Sequence, residues 1–133
     1  MTYVVAYIAT AVVFLGLDAL WLSQIALRMY RDELGSLLLD KPNLAVAGAF
    51  YLLYVGGIVV LAISPALAEG NWWKALLFGA VLGLVAYGTY DITNLSTLKG
   101  WSAKLSMIDL AWGTVLTAVS ATIGYWIVKA LNL

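Results

Sequence analysis

The sequence of 133 residues has no cysteine and no histidine, and those two absences remove much of ordinary protein chemistry. Zinc sites of the usual ligands, iron–sulfur clusters and thiolate or imidazole haem ligation all need one of them. Ser-His-Asp triads and cysteine nucleophiles need them too. Disulfides cannot form, so cysteine usage says nothing about redox compartment. Charge is scarce as well: only 11% of residues are charged, and seven Lys and Arg balance seven Asp and Glu. There is no basic stripe of the kind that nucleic-acid binding uses, which excludes that partner. Carboxylates, Tyr, Ser, Thr and a few Lys and Arg are left, and they imply no cofactor and no metal.

What fills the chain instead is apolar. Hydrophobic residues make up 64%, against roughly 45–50% in soluble domains, and the mean hydropathy is +0.97. A small soluble domain cannot hide that much apolar surface. A membrane-crossing helix needs about 20 apolar residues, and four stretches qualify, over 3–27, 44–63, 72–95 and 107–128. The first has no basic leader and too long an apolar run for a cleaved signal peptide, so it is expected to stay as a span. In lipid every backbone polar group must be bonded internally, which leaves helices or barrels, and these runs are helix-length. The expected fold is all-α: a single transmembrane domain over 1–133, an antiparallel up-down four-helix bundle with short loops.

The joints carry turn chemistry. Gly35 is a natural stop for a helix leaving the bilayer through Arg28 to Leu34. Asp40-Lys41-Pro42 reads as the next helix start, with Asp40 as cap and Pro42 in the first turn. The second connection, 64–71, holds Pro65 and Gly70, with Asn71 as cap of the third span and Trp72 and Trp73 in an aromatic belt. The first and third connections carry Arg28, Arg31, Lys41, Lys99 and Lys104, against Lys74 and Lys129 on the opposite side. That asymmetry places the odd connections in the cytoplasm and both termini outside a bacterial inner membrane.

Asp18, Asp91 and Asp109 lie within or at the edges of spans, where a carboxylate costs about 2.5–3.5 kcal/mol and avoids lipid. With alternating helix direction, all three fall in the cytoplasmic half, within roughly 10 Å of depth. They are expected to approach one another and to share fewer than three negative charges. Helical spacing adds Tyr87 and Asn94 beside Asp91, Trp21 beside Asp18, and Trp112 beside Asp109. Lys99, eight residues after Asp91, is a cation that could tie it at the interface. Ser106-Met107-Ile108-Asp109 also fits a capping box, which would make Asp109 a first-turn structural residue. Gly88 and Gly113 would allow close helix approach beside the cluster, and Gly79-x-x-x-Gly83 offers a face for a second copy of the chain.

Several blocks together resemble one family. They are Asp18-Ala19-Leu20-Trp21, Lys41-Pro42-Asn43, Phe50 to Tyr54, Tyr90-Asp91-Ile92-Thr93-Asn94-Leu95, Thr97 to Trp101 and Asp109 to Gly113. The chain resembles, over essentially its whole length, the small bacterial membrane proteins catalogued as domain of unknown function 2177. The resemblance implies a four-span membrane protein and brings no accepted activity. It gives a lipid role some weight, because members are sometimes encoded near lipid-modifying enzymes.

The favoured reading is a protein of the lipid bilayer that binds or transports a small molecule, lipid or cation through an acidic cavity facing the cytoplasm. Asp18, Trp21, Tyr87, Asp91, Asn94, Lys99, Asp109 and Trp112 are its candidate ligand-binding residues. The alternative is a membrane enzyme or accessory subunit acting on a hydrophobic substrate at the inner interface. Enzyme chemistry is disfavoured, since only carboxylates and Lys99 could perform it.

Overall fold

The computed structural model describes all 133 residues and is helical throughout, without strands. Four helices are long and apolar enough to span a membrane: α1 (Thr2–Leu37), α2 (Leu44–Glu69), α3 (Trp72–Thr97) and α4 (Ala103–Ala130). Even the 26-residue α2 and α3 are about 39 Å long, against a hydrocarbon core of about 30 Å. The chain is a four-helix membrane bundle. Its connections are short and its neighbours antiparallel, as the pairing Tyr3–Ser64 and Tyr7–Leu52 between α1 and α2 illustrates.

The most buried helix is α4. Its neighbours meet it through small side chains, because helices in lipid gain from close van der Waals approach and not from water exclusion. Ala75, Gly79 and Gly83 are buried along one stripe of α3. A Cβ on Gly79 would stand 3.0 Å from Ala118 Cα, Ala121 Cβ and the Thr117 carbonyl, and one on Gly83 would strike the Gly113 carbonyl. The Gly79/Gly83 face is therefore consumed inside the chain. The expectation that it serves a second copy is corrected on that ground. On α1, Ala6, Thr10, Phe14 and Asp18 recur every fourth residue and are all buried. Gly124 makes room there for the Thr10 hydroxyl.

Several boundaries differ from those expected. The N-cap of α2 is Asn43, whose Oδ1 accepts from the Val46 N–H at 3.1 Å, so neither Asp40 nor Pro42 plays the expected part. The helix also runs through Ser64 and Pro65 to Glu69 and stops at Gly70, which is left-handed at φ 63°. Proline inside a helix loses a hydrogen bond and crowds the carbonyl four residues back. A π turn at Val59–Ile63 stands just before it and loosens the helix at that place. Asn71 does precede α3, but its side chain makes no capping bond. The cap of α4 is Ser102, which accepts from the Leu105 N–H at 3.0 Å. The helix thus starts before Ser106, which instead donates to the Ser102 carbonyl at 2.8 Å. Asp109 lies beyond the first turn, and the capping-box reading fails. Gly35 ends the α-helical part of α1 as expected, at φ 50°.

The bundle is closed at one end only. The π turn of α2 packs on α3, whereas the first part of α2, Leu44–Ile58, rests on α1 and meets α3 little, through the edge-on contact of Tyr54 with Tyr87. A wedge opens between α2 and α3 at the end that carries Arg28, Arg31 and Lys99.

Candidate functional site

Into that wedge faces a cavity of about 740 Å³. Its walls are aromatic and aliphatic, with Tyr30, Tyr51, Tyr87, Tyr90 and Trp101 among them, and two carboxylates, Asp91 and Asp109, also line it. Neither Lys nor Arg lines it. Phe50 of α2 and Tyr90 of α3 both line the cavity and are 60% and 56% exposed, so exposed aromatic rings flank it on the side between those two helices. An apolar recess with a few convergent polar groups is the usual form of a ligand site.

The three acidic residues converge from three helices. Asp18, Asp91 and Asp109 retain only 6%, 1% and 7% of their surface. The carboxyl groups of Asp91 and Asp109 are neighbours on the cavity wall. Tyr30 donates its hydroxyl hydrogen to Asp109 Oδ1 at 2.7 Å, while Asp91 Oδ2 is buried with no partner. Asp18 sits behind this pair and off the cavity wall. It accepts from Trp112 Nε1 at 3.1 Å and lies beside the hydroxyl of Tyr51, which does line the cavity.

Tyr30 reaches Asp109 because α1 is not a regular helix. Twelve residues separate Tyr30 from Asp18, which in an unbroken α-helix would set them roughly 120° apart. The π turn at Leu22–Ala26 takes up one extra residue, so the two are related as eleven residues would be, about 20°. Both therefore face α4. The same extension lets Glu33 accept from the Ser102 hydroxyl at 2.7 Å, tying the end of α1 to the loop before α4. Trp101 in that loop donates to Ser106 Oγ at 3.0 Å and packs edge-on against Tyr90, with ring centroids 5.7 Å apart.

The other residues singled out from the sequence divide. Tyr87 lines the cavity, and its ring fills the place that a Cβ on Gly113 would need. Trp21 and Trp112 stack at 4.5 Å with rings 7° from parallel, outside the cavity wall. They form a lid over Asp18. Asn94 is half-buried, makes no side-chain hydrogen bond and does not reach the wall; Lys99 is exposed in the α3–α4 loop. Tyr30, Tyr51, Tyr54, Tyr90 and Trp101 were not among the candidate binding residues, although all but Tyr30 stand in the blocks that carry the family resemblance. The i, i+3 spacing of Tyr51 with Tyr54 and of Tyr87 with Tyr90 is the signal for a shared aromatic face.

Chemically, the arrangement can hold an apolar chain against the rings and a polar end at the two carboxylates. Comparison with known proteins agrees with a membrane protein and adds no activity. No curated protein and no solved structure matches the chain. A family model does match, over residues 3–126, and the chain belongs to that family, described as predicted membrane protein (DUF2177).

Proposed function

We propose that the protein binds an amphiphile taken from the bilayer, holding its tail among the aromatic rings and its polar end at Asp91 and Asp109. The observation that carries this reading is the pair of exposed rings, Phe50 and Tyr90, that flank the cavity between α2 and α3, which we read as a mouth toward lipid in place of the expected opening to the cytoplasm. A polar solute would reach the carboxylates only across an apolar mouth, whereas an amphiphile lies at that depth already. Native mass spectrometry of the protein released from nanodiscs tests it. One retained amphiphile per chain is expected, and chains released bare from every lipid composition would contradict it.

The site is proposed to sit in the cytoplasmic half of a bacterial inner membrane, with both termini outside. The support is the Lys and Arg asymmetry, five residues against two. The cysteine-free background makes this directly measurable. Lys99→Cys in intact cells is expected to resist a membrane-impermeant maleimide, and Asn132→Cys to react. The opposite pattern would invert the topology.

A further inference from the structure

The polar end of the occupant is constrained by what surrounds it. Two carboxyl groups side by side, both almost fully buried, repel if both are charged. A proton or a cation must lie with them. Tyr30 satisfies one oxygen of Asp109, whereas the Asp91 carboxyl has the Asp109 carboxyl beside it, and no amide, hydroxyl or basic group donates to its buried Oδ2 in this residue that lines the cavity. A buried carboxylate oxygen left unbonded is costly, and a donor from a ligand removes that cost. The basic side chains of the neighbouring elements do not supply one. Arg28, Arg31, Lys99 and Lys104 are all exposed, and the single ion pair in the protein joins Lys74 to Glu69 at the other end of the bundle.

The walls have the same preference. Tyr87, Tyr90 and Trp101 present rings around the acidic pair, and ring faces attract cations. With no Lys or Arg on the wall, a phosphate or carboxylate head group would meet two acids and no counter-charge.

We infer that the occupant is an amphiphilic amine, a protonated primary or secondary ammonium on a hydrocarbon chain, whose N–H groups bond Asp91 and Asp109. The inference rests on the cavity being an amphiphile site and adds the chemical class of the head group. Charge-assisted hydrogen bonds are about twice as strong as neutral ones, so selectivity over a neutral head group should be large.

The test uses the full chain in phosphatidylcholine nanodiscs with dodecylamine, dodecanol or dodecanoate at equal mole fraction in the bilayer. Occupancy is read by native mass spectrometry. Dodecylamine is expected to bind about tenfold or more tighter than dodecanol, with dodecanoate not retained. Asp91→Asn should lower amine affinity by about tenfold and leave dodecanol unchanged. Should that variant fail to assemble, the head-group series on the unaltered protein decides by itself. Dodecanol bound as tightly as dodecylamine overturns the ammonium assignment and leaves the amphiphile site standing. None of the three bound overturns the site and the assignment together.

Discussion

Gly83→Ala is expected to destabilise the bundle by about 1–3 kcal/mol, and Gly83→Leu to prevent its assembly. The reason is the nature of the obstacle. A Cβ at Gly83 would run into the Gly113 carbonyl and stand 2.9 Å from Thr114 Cα, so it meets backbone and no rotamer change can relieve it. The two helices must then move apart along the interface that contributes most to the fold. In lipid the separation is not offset by water exclusion, and packing is what is lost. Gly57, on the lipid side of α2, has nothing within 4 Å of the same added atom. Gly57→Ala is the control and should be neutral. Denaturation in mixed micelles, followed by Trp fluorescence, measures both. Equal midpoints for Gly83→Ala and Gly57→Ala would refute the α3–α4 packing described above.

Filling the cavity should abolish amphiphile binding while sparing the fold. Ala47 on α2 and Ala86 on α3 face it from opposite sides and are each half-buried. A tryptophan at either position enters existing space and leaves the helix interfaces untouched. Ala47→Trp and Ala86→Trp are expected to reduce retained amphiphile at least tenfold with unchanged unfolding midpoints. Retention at the original level in both would place the binding elsewhere.

The sequence carried the fold clearly and the site in part. Four apolar runs of helix length state the number of spans outright, since lipid allows little else. The convergence of Asp18, Asp91 and Asp109 followed from counting depth along alternating helices. Helix starts were less legible, because several polar residues in a turn can cap: Asn43 caps α2 where Asp40 was expected, and Ser102 caps α4 ahead of the apolar run that reveals it. Pro65 reads as a break, and only the π turn before it explains why the helix goes on. Tyr30 was hidden by the same physics. Its face depends on one extra residue taken up at Leu22–Ala26, which hydropathy does not encode. Gly79 and Gly83 signal close packing from sequence alone, yet whether the partner is α4 or another chain is decided by the rest of the fold. An acidic cavity was expected from the three carboxylates, but its aromatic walls were not legible, because they come together where Leu44–Ile58 packs little against α3.

Density for the protein in a lipid nanodisc shows directly whether an amphiphile enters between α2 and α3 with its polar end at Asp91 and Asp109. Elongated density is expected in the wedge, running from the bilayer past Phe50 and Tyr90 and ending beside the Asp91 and Asp109 carboxyls. A wedge closed by α2 packed along α3, or filled only by water, would contradict it.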